Sequence, residues 1–161
     1  MAYEKVKEYF NSVGMGERVV RHAHISATAE QAVQSIGCTI ERITKTMTFL
    51  VNEEPIIVAV AGDAKIHNAK FKNRFLQKAH MIPGERVESL IGHAPGSVCP
   101  FAINEGVRVF LDISLKRFDT VYTAGGDLYS HVKVTLDEME KHSRSEGWVD
   151  VCKGWYVNED E

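Results

Sequence analysis

Cysteine is scarce in this sequence, and the three that occur, Cys38, Cys99 and Cys152, are odd in number and far apart. That argues against a disulfide framework and a zinc ribbon. No apolar run approaches the roughly 20 residues that span a bilayer. The opening MAYEKVKEYF is charged and amphipathic, without the apolar stretch of a signal peptide. The cytosol is therefore the expected compartment, with no membrane partner. Nor does one charge dominate: 19 Lys and Arg stand against 22 Asp and Glu, a net −3. The chain thus has no global signature of nucleic-acid binding. Repeats, low-complexity tracts and linkers are lacking too. With 161 residues and 44% hydrophobic content, the sequence reads as a single domain, 1–161, with a substantial core.

What is present alternates between helical and extended patterns. Tyr3, Val6, Phe10 and Val13 recur at helical spacing over 2–13, ended by Gly14 and Gly16. Residues 18–25 read as a strand. Thr28 and Gln31 form a capping box for a helix that stops at Gly37. Residues 39–44 allow one helical turn. Strands are expected at 46–51 and 56–61, joined by a tight turn over 52–55, and PIIVAVAG is apolar enough to be covered on both faces. A basic helix runs from Asn68 to near Ala79, with Phe71, Phe75 and Ala79 inward, and a short one spans 85–91. Strands follow at 107–113, 120–123 and 132–135. A second capping box, Thr135 with Glu138, opens a helix to about His142. Trp148, Val151, Trp155 and Tyr156 are too many apolar groups for a loose end, so the tail is expected to pack on the body and only its last NEDE to fray. The sum is a mixed α/β domain: a mixed, curved sheet surrounded by helices.

Chemistry concentrates in few places. GHAPGSVCPFAI, residues 92–103, packs two glycines and two prolines into nine residues. Such a loop is built for backbone shape, and its N–H groups can cradle a ligand oxygen. Cys99 lies inside it, but no base stands beside it in the sequence, and a small buried thiol is the simpler reading. Lys45 sits where a polar segment turns apolar. It is either a solvent-facing lysine or the cation of a pocket. Asp112 ends an apolar strand and either caps a neighbouring turn or lines the pocket. His22 and His24, two apart on the expected strand, share a face, yet no third metal ligand is evident by spacing. His93 and His131 either reach the pocket or are held by structural hydrogen bonds. From Ala64 to Gly84 the chain carries Lys65, Lys70, Lys72, Arg74 and Lys78 with His67 and His80, and no acid. That is a solvated face or a local phosphate contact.

Taken in order, the capped helix ending in IGC, Lys45 before a strand, VAVAGDAKI, IGHAPGSVCPFAI, VRVFLD and a TAGG turn before TLDEM resemble the YbaK/EbsC family of aminoacyl-tRNA editing domains. The likeness spans about residues 20–142. It implies hydrolysis of the ester between a wrong amino acid, typically alanine or cysteine, and the tRNA for proline. It further implies no cofactor and no metal, and tRNA as partner through its acceptor end. By position, the resemblance assigns the family lysine to Lys45, the G-x-x-x-P loop to Gly96–Pro100, the strand-end aspartate to Asp112 and the glycine turn to Ala124–Gly126. The expected catalytic set is then Lys45, Asp112 and the backbone of Gly96, Ser97 and Val98. The expected substrate-binding set is Gly92, His93, Pro100, Gly125, Gly126, Ser130 and His131, with Lys65, Lys70, Lys72, Arg74 and Lys78 on tRNA.

The chemistry is consistent with that implication. An aminoacyl ester is already activated, so its hydrolysis needs a placed water and a stabilised oxyanion more than a strong nucleophile. One departure stands out. Where many relatives have a turn like A-G-S-x-N-S, this chain has AGGDLYSH, one residue longer, with Ser130 standing in for the missing serine. The bulkier turn is expected to make the pocket smaller. A binding module on the same fold, without turnover, is the alternative. Delivery by a synthetase, and monomer against homodimer, stay open.

Overall fold

A computed structural model describes residues 2–26 and 28–155. Helix α1, Ala2–Ser12, buries Val6 and Phe10. The Phe10 ring meets Phe101 edge-on at 4.9 Å, which ties α1 to the glycine/proline loop. Val13 falls outside the inner stripe, 42% exposed, because the helix ends at Ser12 and Gly14 turns the chain at φ +76°. The expected strand at 18–25 contracts to β1, Val19–Arg21. Beyond it the chain leaves the ladder, held by bonds from the His22 and Ser26 N–H groups to the Tyr129 and Leu128 carbonyls. Helix α2, Ala29–Ile36, carries the Thr28–Gln31 capping box and ends on left-handed Gly37. A single 3₁₀ turn, Ile40–Arg42, follows.

Strands β2, Thr44–Val51, and β3, Glu54–Ala61, form a hairpin whose two turn residues, Asn52 and Glu53, both have positive φ. Pro55 lies within β3 opposite Leu50, whose N–H bonds the His80 carbonyl instead. All of Ile56–Ala61 is buried, as a nearly continuous apolar run requires when a strand is covered on both faces. Each large aliphatic side chain there contributes about 1.5–3 kcal/mol of burial. Strand β5, Arg108–Asp112, pairs parallel with β3, and β8, Trp148–Val149, pairs parallel with β5. A second sheet has the order β1-β7-β6, from β6, Thr120–Ala124, and β7, Ser130–Thr135. The Ile43–Tyr122 bridge joins the two sheets, so the curved sheet is divided where β2 meets β6.

Helix α3, Asn68–Phe75, stops four residues earlier than its pattern predicts. Leu76 takes a left-handed conformation, and the chain then runs beside β2, with Leu50 and Ile82 N–H groups bonding His80 and Thr48 carbonyls. Lys78 is thereby off the helix. Helix α4, Gly84–Ile91, ends at left-handed Gly92, and α5, Leu136–His142, opens with the second capping box. The tail packs on the body through β8 and through β9, Cys152–Lys153, which pairs with β4, Lys65–Ile66. Tyr156 and the final NEDE lie outside the described residues. Among the described residues no helix is long and apolar enough to cross a membrane.

Candidate active site

A cleft of about 560 Å³ opens where β2 passes β6, roofed by α2 and α4 and closed by the glycine/proline loop. Its walls are mostly apolar, with Ile36, Ile43, Met47, Ile82, Val87 and Val98 among them. Lys45, Gly96, Val98, Ser130 and His131, five of the residues expected to act on substrate, converge on it from three separate segments.

Lys45 lies on β2, paired with Val60, and its Nζ donates a 2.6 Å hydrogen bond to the Ala64 carbonyl. Partial burial holds its pKa below the usual lysine value, because the charged form has lost water; nearby Asp63 opposes this. The ammonium has three protons and Ala64 takes one, which leaves donors for a ligand. In the loop, Gly96 has φ +87°, and Gly96 and Val98 both border the cleft. Ser97 does not: it is buried, and both its N–H and its Oγ bond the Ala94 carbonyl. Of the three backbone donors expected here, Ser97 is spent on the turn.

The other expected site residues serve the scaffold. Asp112 is fully buried away from the cleft. Its two oxygens accept from the Ser114 and Val151 N–H groups, both at 2.9 Å, so it is the cap and not the pocket wall. His93 is fully buried, with Nε2 2.8 Å from the Phe101 carbonyl and Cys99 Sγ 3.6 Å away. Burial lowers the His93 pKa and pushes the Cys99 thiol up to about 12, which leaves a sealed thiol. Gly92 ends α4, and Pro100 borders a separate cavity beside Tyr9 and His142. Gly125 and Gly126 are close-approach residues: a Cβ would meet Ser130 Oγ at 2.5 Å and the Ala2–Tyr3 backbone at 2.8 Å respectively.

The bulky residues of the turn lie outside the cleft. Asp127, Leu128 and Tyr129 stand outside its lining, and their side chains and carbonyls brace the segment after β1. Asp127 pairs with Arg21 at 2.8 Å. Only Ser130 and His131 point the turn's chemistry at the cleft. The sequence reading missed Thr44, Thr46, Thr48, Tyr122 and Thr123, which also line it. The alternating TKTMT was the available signal, since period two places three hydroxyls on one face of a strand.

His22 and His24 do not act as a pair. His24 is exposed, and His22 Nε2 lies 2.5 Å from His131 Nδ1. Tyr122 packs edge-on against His131 from β6. His131 is 8% exposed, and burial, with His22 and Lys133 nearby, lowers its pKa to about 4. The unfolded chain therefore takes up a proton first as pH falls. The stabilisation is full above about pH 6.5 and drains away toward pH 4, by about 3 kcal/mol. Denaturant titrations at pH 7 and 4.5 should show this loss, and His131→Gln should flatten it. An equal slope in the variant would remove His131 as its source.

The expected tRNA contacts divide as well. Lys70 bonds Asp150 at 3.0 Å and the Cys152 carbonyl. Lys65, Lys72, Arg74 and Lys78 are exposed, Arg74 lying over the Phe75 and Phe110 rings.

A family model described as an aminoacyl-tRNA editing domain matches residues 24–142. YwhH of Bacillus subtilis (strain 168), described as uncharacterized, is 38% identical over 156 residues, covering 96% of this chain and 99% of that protein. A proline–tRNA ligase of Listeria innocua is 31% identical over 109 residues, 66% of this chain but 19% of the ligase. Among solved structures, a candidate trans-editing enzyme for prolyl tRNA synthetase superposes with a TM-score of 0.85. It is 23% identical and covers 95% of this chain and 98% of that one, a likeness of fold.

Proposed function

The chain belongs to the aminoacyl-tRNA editing domain family, and from that premise we propose that it is a free-standing deacylase of mischarged tRNA. Its substrates are small aminoacyl esters, with alanine or cysteine on the tRNA for proline as the first to test. The observation that carries this reading is the convergence of Lys45, Gly96, Val98 and Ser130 with His131 on one cleft. A cleft of about 560 Å³ is in the range of small-molecule sites.

The reaction asks little of the protein. Water, or in a cysteinyl ester the substrate's own thiol, attacks the ester carbonyl, and the C–O bond to the terminal ribose breaks as the ribose oxygen takes up the proton lost by the nucleophile. The protein holds the ester and stabilises the developing oxyanion, through the Lys45 ammonium and backbone N–H groups of the loop. His131, neutral near pH 7, is placed to accept a hydrogen bond or a proton. The exposed cations Lys72, Arg74 and Lys78 would meet acceptor-stem phosphates.

A panel of charged tRNAs tests the reading: turnover of at least one mischarged species supports it. Binding without turnover across the panel would favour the non-catalytic module instead. Charge reversal at Lys72, Arg74 and Lys78 should weaken tRNA affinity at low salt by at least about tenfold and flatten its salt dependence. Unchanged affinity and slope would remove that face from the interaction.

A further inference from the structure

His22 and His131 meet head-on. Val20 pairs with His131 across β1 and β7, so His22, two residues beyond Val20, shares its face and lies diagonally beside the His131 ring. The lengthened turn before β7 holds it there, because the His22 N–H bonds the Tyr129 carbonyl and the Ser26 N–H that of Leu128. The two ring centroids are 4.6 Å apart and the planes within 22° of each other, while the facing nitrogens, His22 Nε2 and His131 Nδ1, stand 2.5 Å apart. The bond therefore runs in the line between two nearly coplanar rings. Tyr122 of β6 packs edge-on against His131 at 5.5 Å, so two neighbours grip this ring.

A bond between two imidazoles holds one proton, and its owner fixes what the far nitrogen of His131 can do. If His131 owns it, Nε2 is a bare acceptor. If His22 owns it, Nε2 carries a proton and donates. That Nε2 has no partner among the described residues, yet it is not one of the polar atoms sealed away from solvent. His131 lines the cleft, where Lys45 and Tyr122 are the only other titratable side chains among the described residues. The Lys45 ammonium is a donor, and no carboxylate or thiol stands in the described lining. The cleft is well supplied with donors and short of a base.

Resting on the deacylase reading, we infer that His22 is a positioning residue: it accepts a hydrogen bond from His131 Nδ1 and so keeps His131 Nε2 bare toward the cleft, ready to take the proton of the attacking water. The water oxygen bonds the carbonyl carbon as its O–H bond breaks and the Nε2–H bond forms. The imidazolium, still bonded through Nδ1 to neutral His22, returns that proton to the ribose oxygen as the C–O bond breaks. His22 acts through His131 and not on the substrate. Fixing one tautomer and one ring angle is the task a carboxylate performs in other dyads.

Nitrogen-15 spectra of the histidine-labelled wild type at pH 7 read the tautomer directly. The expected pattern is a protonated Nδ1 and a bare Nε2 on His131. The reverse pattern overturns the inference, whether or not any ester is hydrolysed, and this arm needs no variant to fold. Kinetics on the mischarged tRNA that turns over best then test the role. His22→Phe, which cannot accept, should lower kcat by at least about tenfold with KM changed only a few-fold. His22→Glu accepts and, ionised, cannot donate, so it should recover most of that loss. Its carboxylate also favours the charged ring, which should move the acid limb of kcat up by about one pH unit or more. In the wild type that limb is set near pH 4 by burial, with His22 and Lys133 nearby. Of the other groups around the ring, Tyr122 packs on it, Lys45 lines the same cleft, and Arg21 is paired with Asp127. A Glu variant as slow as the Phe variant, with an unmoved limb, would leave His22 a structural residue and overturn the inference. If no ester turns over, the deacylase reading fails by itself, and the spectrum alone keeps or ends the pairing.

Discussion

Lys45→Ala should lower deacylation of the preferred ester by about 10²–10³-fold while tRNA affinity changes only a few-fold. Lys45 Nζ is held 2.6 Å from the Ala64 carbonyl at the cleft wall, so its position is set before substrate arrives. A fixed cation in a half-dry site costs no reorganisation when the oxyanion forms, and charge that develops during the reaction is what it favours. The cations proposed to meet phosphate, Lys72, Arg74 and Lys78, lie elsewhere, on α3 and the segment after it. The defect should therefore appear in kcat more than in KM. Losing the Ala64 bond could also loosen the turn, so thermal unfolding is measured alongside. A variant with unchanged melting and the stated loss supports a chemical role; one with near-normal turnover would take Lys45 out of the mechanism. Lys45→Arg should not restore the rate, because the guanidinium is larger and its planar fork cannot occupy the same point.

Gly62→Ala should be the most damaging of the small substitutions, costing about 4 kcal/mol. A Cβ there would lie 2.1 Å from the Ile40 carbonyl oxygen and 3.1 Å from that of Ile43. Both obstacles are backbone, so no rotamer change relieves them. The 3₁₀ turn at Ile40–Arg42 must shift by about an ångström. It feeds directly into Ile43, whose bridge to Tyr122 joins the two sheets, and into Lys45. Stability and activity should fall together, with the midpoint of denaturation reporting the first. An alanine variant within about 1 kcal/mol of the parent would show that the turn can move freely, and would sever the argued link between Gly62 and the site.

Elements whose signals are local were legible in the sequence. The two capping boxes, Thr28–Gln31 and Thr135–Glu138, appear as read, because they close over three residues. The run Ile56–Ala61 is buried on both faces, as its unbroken apolar character requires. Helix α3 was overread because tertiary bonds to β2 outweighed the periodicity beyond Phe75. At the site the division is sharper. The glycine/proline loop stands out by its own composition, whereas Lys45, an ordinary residue beside an apolar strand, is singled out only by the family resemblance. Asp112, His93 and Ser97 were equally conspicuous yet turned out to hold the scaffold, as their partners come from distant segments or from their own turn.

By itself, then, the sequence determined the family, the mixed α/β class and the ends of its well-capped elements, since each is written in residue types at fixed short spacings. Only the tertiary structure decided which polar groups share the cleft. Hydrogen bonds are spent according to three-dimensional proximity. The chain order does not reveal that Asp112 has both oxygens occupied while the hydroxyls of Thr44, Thr46 and Ser130 have no partner among the described residues.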